Sequence, residues 1–221
     1  MNREKAVAYM PQLYFDRNEP FFPVQIGVTF LSEGDTSPSF RRTFDWDDES
    51  VATIIEYAIY WDYDIQHMYD LEHVWVYVGR DGQVSDVEAS FHGKYVRGLL
   101  PGGSNLADGT RVRLYSQPGK HAFLPQPDWF ALVPGLFKSC GKHAGRDGLL
   151  IGGPFEGVLH TDEETDRIVM RYLQSKAFTP SMEFMPYVKP IEELLVPWEE
   201  LYETVPRRVK QCLADIRAVN S

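Results

Sequence analysis

LEHVWVYVGRDGQVSDVEASF, residues 71–91, carries apolar residues at alternate positions on both sides of Arg80-Asp81-Gly82-Gln83. β-Branched and aromatic side chains spaced by two fit a pleated strand. Asp-Gly tolerates the positive φ angles of a tight turn. The stretch therefore reads as an antiparallel hairpin of Leu71–Gly79 with Val84–Phe91. If Asp81-Gly82 closes a two-residue turn, Arg80 pairs with Gln83, Val76 with Val87, Val74 with Ala89 and Leu71 with His92. Val74, Val76 and Val78 then share a face with Val87, Ala89 and Phe91, and His92 falls on the opposite face, reaching the other side only through a bulge.

On the N-terminal side, PVQIGVTFL (23–31) alternates and reads as a strand. In DDESVATIIEYAI, Asp47 or Asp48 is a plausible N-cap, and Val51, Ile54, Ile55 and Ala58 have helical spacing. A short helix giving way to a strand at the aromatic run Tyr57–Trp61 is expected there. On the C-terminal side, RVRLYS (111–116) and KHAFL (120–124) read as a pair turning at Gln117-Pro118-Gly119. Residues 124–157 are rich in Gly and Pro and read as extended loop. Thr161-Asp162-Glu163-Glu164 forms a capping box for a helix presenting Ile168, Val169, Tyr172 and Leu173. Pro190 opens a further helix that Pro197 interrupts, and Pro206 starts a final one with Val209, Cys212, Leu213, Ile216 and Val219 on one face. Strands first and helices later is an α+β, mainly β order: a β-sandwich with flanking and C-terminal helices.

The 221 residues, 43% hydrophobic and 14% aromatic, suit one domain over 1–221. Thirty-two acids against 22 bases give a net charge of −10, which disfavours nucleic acid as a partner. No window has the roughly 18 apolar residues of a membrane span. MNREKAVAYMPQLYF lacks the apolar stretch of a secretory signal, so a cytoplasmic location is expected, and a secreted one only if a leader was removed. Cys140 and Cys212 are expected to be buried thiols rather than a disulfide.

Just before the hairpin, WDYDIQHMYDLEHVWVYV (61–78) gathers Asp62, Asp64, His67, Asp70 and Glu72. Asp70 and Glu72 point the same way as the valines, about 6–7 Å apart along the strand. Carboxylates ending an apolar row need compensation. Asp64 and His67 precede on a connection short enough to fold back over them, whereas His73 takes the other face. Three carboxylates and an imidazole suit Ca²⁺, Mg²⁺ or Mn²⁺, the imidazole also admits a transition metal, and the lack of thiol ligands argues against structural zinc. Without a cation, acids this close raise one another's pKa. The competing reading is a solvated hairpin mouth whose acids do nothing.

The same stretch resembles the central motif of the necrosis-inducing, or NLP, family, GHRHDWE. Asp70 and Glu72 fall on its acids and His67 on its first histidine. YAIYWDYD resembles the family strand ending in an aspartate, here Asp64. VEASFHGKY (87–95) resembles a serine-x-histidine-glycine segment, and RVRLYSQPGKHAF (111–123) a strand pair ending in histidine-alanine-phenylalanine. The order holds over about residues 20–124. The resemblance implies a β-sandwich flanked by helices and a divalent cation held by Asp64, His67, Asp70 and Glu72, with His121 lining the cavity; Tyr69 is a further cavity-lining candidate, and His92 is either a structural hydrogen-bonding histidine or a cavity residue. Met68, Tyr69 and Leu71 depart from the motif. Family members act outside cells on sphingolipid head groups and carry a signal peptide and disulfides, so the scaffold and cation site are carried over and the toxicity is not.

Three functions follow as expectations. The cation anchors a polar or anionic ligand such as a sugar or lipid head group; or it activates water for hydrolysis, with His121 or Tyr69 handling protons; or it is purely structural. Cys140-Gly141-Lys142-His143 is too sparse for a zinc site and reads as loop.

Overall fold

The computed structural model describes residues 1–46 and 49–219, so the expected Asp47 or Asp48 cap lies outside the described residues. In chain order, α1 (Arg3–Ala8) and β1 (Gln12–Asp16) precede β2 (Gln25–Leu31), β3 (Val51–Tyr63), β4 (Met68–Gly79), β5 (Val84–Phe91) and β6 (Lys94–Arg97). Then come β7 (Leu106–Ala107), β8 (Arg111–Ser116), β9 (Phe123–Leu124), α2 (Leu136–Cys140), α3 (Glu163–Gln174), β10 (Phe184–Pro186), β11 (Leu195–Pro197) and α4 (Trp198–Val219). One sheet runs β11-β2-β3-β4-β5-β6; the other runs β10-β1-β8-β7 with β9 added on β8. Both are mixed, because β11 joins β2 and β1 joins β8 in parallel. A shared core of residues from both sheets and α4 makes a β-sandwich-like α+β fold.

The 71–91 hairpin supplies the fourth and fifth of the larger sheet's six strands. Val76 opposes Val87 and Val74 opposes Ala89, as the Asp-Gly turn predicts. Nearer the turn the register slips, and Val78 meets Val84. The Asp81 carboxylate accepts the Gln83 N–H at 2.9 Å, and the loop closes from the Gly79 N–H to the Gln83 carbonyl instead of over two residues.

The expected helix in the DDESVATIIEYAI stretch does not form: β3 is one strand from Val51 to Tyr63. Its two faces are both covered. Ile55, Tyr57, Ile59 and Trp61 face the sandwich interior, while Ile54 packs with Leu31, Phe44 and Trp75 under residues 32–46. A strand buried on both sides loses the two-residue alternation and mimics helical spacing.

Other boundaries shift for similar local reasons. Asp162, not Thr161, caps α3, accepting the Thr165 N–H. Residues 191–194 form only a 3₁₀ turn before β11. The last helix starts at Trp198 and runs through Pro206. Leu201, Val205 and Val209 keep one buried stripe across the proline, and this packing on β2 outweighs the lost N–H. Gly27 makes the close approach feasible, since a Cβ there would lie 2.8 Å from Leu201. Arg208 of α4 pairs with Asp62 at the end of β3. Both cysteines are free and buried. No helix among the described residues is long and apolar enough to cross a membrane.

Candidate metal centre

The turn between β3 and β4 carries Asp64 and His67, and backbone ties to two other segments hold it, including the Asp147 N–H donating to the Gln66 carbonyl. The Ile65 N–H donates to the Gly119 carbonyl, the Gly145 N–H to the Ile65 carbonyl, and the Met68 N–H to the Gly148 carbonyl. Gly119 is needed at this seam: its φ is +68°, and a Cβ would lie 2.7 Å from Ile65. The Gln117–Ala122 turn thereby sets Lys120 and His121 against the β3–β4 turn.

Asp64, Asp70 and His121 come together: each offers one ligand atom, and these atoms lie within 4.8 Å of one another. His121 Nδ1 donates to Asp70 Oδ2 at 3.1 Å, and Lys120 Nζ donates to Asp64 Oδ1 at 2.8 Å. The His121 ring is stacked on Trp61, centroids 4.5 Å apart and planes 3° from parallel. Behind it, Glu19 Oε1 lies 3.6 Å from His121 Nε2. Two fully buried polar atoms of the cluster, Asp64 Oδ2 and His121 Nε2, have no hydrogen-bond partner.

The electrostatics follow from this geometry. Burial disfavours the His121 imidazolium, but hydrogen bonding and charge from Asp70 and Glu19 outweigh it and carry its pKa to about 10. Burial likewise opposes the Asp64 carboxylate, yet His67, Lys120 and His121 together hold it below its ordinary value. Lys120 is raised despite burial because Asp64 and Asp70 face it. Glu72 goes the other way: burial, then the Asp70 charge, push it up to about 8, so it holds a proton at neutral pH.

The remaining expected residues surround this cluster. His67 Nδ1 donates to the Tyr69 carbonyl at 2.9 Å, and its Nε2 faces Asp64 Oδ1 at 3.7 Å. Glu72 shares the carboxylate face as the alternation requires, but its carboxyl is engaged by the Ser90 hydroxyl. His92 lies beyond the end of β5 at φ +51°, a bend that frees it from the strand's opposite face; its Nε2 donates to Gln117 Oε1 at 2.8 Å. A cavity of 300 Å³ is lined by Asp64, His67, Asp70, Glu72, His92 and Lys120, among others. His121 stands behind it, fully buried. Tyr69 lines a neighbouring 230 Å³ hollow shared with His67 and Asp70. Tyr69, His92 and His121 are three of five described non-glycine residues at positive φ. Such strain is costly and persists where surroundings over-determine it, often at functional sites.

His121, expected at the cavity wall, stands behind it and groups with Asp64 and Asp70; Glu19, Lys120 and Trp61, which surround this group, are not among the residues expected there. The Lys120-His121 pair beside Gly119 was the available signal; Glu19, 45 residues before Asp64, offered none.

Ser39 Oγ lies 2.9 Å from His73 Nε2 in the hollow shared with Tyr69. This contact is not a nucleophilic triad. The acid, Glu56, accepts from Ser39 itself at 2.7 Å, His73 Nδ1 has no partner, and burial holds His73 at about 3. The contact instead ties residues 37–39 to the outer face of the sheet.

No protein-family description matches the chain, and no curated protein matches it. Solved structures of NLPPya do. A mutant form of NLPPya is 20% identical over 78% of this chain and 88% of that one, with a TM-score of 0.34. NLPPya in complex with glucosamine is 18% identical over 79% and 89%, and in complex with mannosamine 19% identical over 79% and 89%, both with a TM-score of 0.35. A further match is described as a toxin fold for microbial attack and plant defense. The chain thus resembles NLPPya in structure over about 79% of its length, at about 19% identity.

Proposed function

We propose that this chain binds a divalent cation through Asp64, Asp70 and His121, with His67 beside them, and uses it to hold a small polar ligand in the adjoining cavity. The observation that carries this reading is the convergence of three ligand-type side chains within 4.8 Å around a carboxylate, Asp64, whose buried Oδ2 has no partner. Such atoms are rare in native interiors unless something fills the gap. Two carboxylates, an imidazole and no thiol favour Ca²⁺, Mg²⁺ or Mn²⁺ over structural zinc. In a cation's place, Lys120 and the His121 proton supply the positive charge. The cavity wall is polar and charged, with His67, His92 and Lys120 among its members, and suits a hydroxyl-rich or anionic group such as a sugar or lipid head group.

Metal analysis of the purified protein, with melts in the presence and absence of chelator, tests the ion. An ion present at 100 times its Kd adds about 2.7 kcal/mol, or roughly 5–10 °C of Tm for a chain this size. Asp70→Asn should abolish both uptake and the chelator response. Metal-free wild type with no melt shift sinks the reading. Titration of glucosamine into the cation-loaded protein then tests the ligand; a melt shift without any ligand response assigns the ion a purely structural role.

A further inference from the structure

Glu19 is buried in the loop after β1, where a carboxylate has no packing reason to be. Its surroundings give it one. Oε2 accepts the Gly119 N–H at 2.7 Å, and Oε1 accepts the Phe21 N–H at 3.3 Å and faces His121 Nε2. The His121 ring is thus bounded on three sides. Trp61 fixes its plane, Asp70 meets Nδ1, and Glu19 faces Nε2. Nε2 is fully buried and lacks a hydrogen-bond partner, and a shift of about half an ångström brings Glu19 into bonding range.

We infer that Glu19 is a positioning residue for the cation centre: it holds the proton on His121 Nε2, so that the Nδ1 lone pair is the one presented to a cation beside Asp64 and Asp70. This rests on the cation reading above. A histidine that ligates metal through one ring nitrogen commonly gives its other N–H to a carboxylate, which fixes tautomer and ring orientation. Nδ1 and Asp70 Oδ2, 3.1 Å apart, already have about the separation of adjacent ligands in an octahedral shell with bonds near 2.1 Å. Replacing the shared proton by an ion therefore requires little movement of either side chain. Glu19 also couples the centre to the Gln117–Ala122 turn, because the Gly119 N–H that anchors it lies two residues from His121.

The test is Mn²⁺ titration of wild type, Glu19→Gln and Glu19→Asp, with ¹⁵N spectra of the His121 ring in the Mg²⁺-loaded proteins. Glu19→Gln should fold with a melt close to wild type, bind Mn²⁺ some 10–100-fold more weakly, and lose the pure Nε2–H tautomer pattern of His121. Glu19→Asp, which restores a carboxylate, should recover part of both. Equal Mn²⁺ affinity and an unchanged His121 spectrum in Glu19→Gln overturn the assignment while leaving the cation site standing. Affinity lost only in step with the melt overturns it as well. Wild type that binds neither Mn²⁺ nor Mg²⁺ overturns the cation reading itself, and with it this one.

Discussion

His73 and His121 are both buried histidines, and their surroundings drive them in opposite directions. His121 has carboxylates at both ring nitrogens and rises to about 10. His73 is held at about 3 by burial, which the distant Asp70 charge only partly opposes. The unfolded chain takes up a proton at His73 near pH 6.5, the native fold only near 3. Its contribution is therefore complete above pH 6.5 and is lost as pH falls from 6.5 towards 3, by up to about 1.4 kcal/mol per pH unit. Glu72, raised to about 8, acts with the opposite sign, its contribution declining as pH climbs from 4.5 to 8. Denaturant melts at a series of pH values should show a shallower acid decline in His73→Gln than in wild type; identical slopes would show that His73 is not the group responsible. Much of the candidate centre was legible in single residues. The valine alternation correctly sent Asp70 and Glu72 to one face and His73 to the other. What it could not reveal was which groups from distant segments meet them. Glu19 and His121 are supplied by tertiary closure, and the positive φ angles that turn His92 and His121 inward leave no mark in a pattern of apolar residues.

β3 and α4 show why some elements read correctly and others did not. The hairpin was legible because its outer strand, β5, is half-exposed and keeps its alternation, and because Asp-Gly names its own turn. β3 is buried on both faces, so the only remaining signals were β-branched content and aromatic enrichment. α4 was cut short at Pro206 because sequence cannot weigh one missing hydrogen bond against a stripe of buried leucine and valine. The seam between these elements is Gly27. Gly27→Val places atoms where Leu201 and Trp198 already lie and should destabilise the protein by about 1–3 kcal/mol. Leu201→Ala alone should cost about 2–5 kcal/mol. Combined, the two changes should cost less than their sum, since the smaller side chain relieves the clash. A strictly additive double mutant in urea melts would place the strain elsewhere.

The two sheets and α4 share one set of buried contacts, and the helix covers apolar surface on β2 and β3 that water would otherwise meet. A chain ending at Pro197 should therefore lose its cooperative thermal transition and associate through the bared face, which calorimetry and light scattering would detect. A truncated protein that melts as sharply as the full chain would show that α4 only decorates the sandwich. The same dependence on distant segments governs the candidate centre. Glu19 follows the first strand, Asp64 and Asp70 flank a turn in the middle of the larger sheet, and His121 closes a hairpin of the smaller one. No fragment contains the set, and loop closure between such remote segments is among the slower steps of folding. An ion that recognises all of them would be a late arrival, taken up only by molecules whose two sheets have already docked, and its uptake would count finished molecules rather than folded parts.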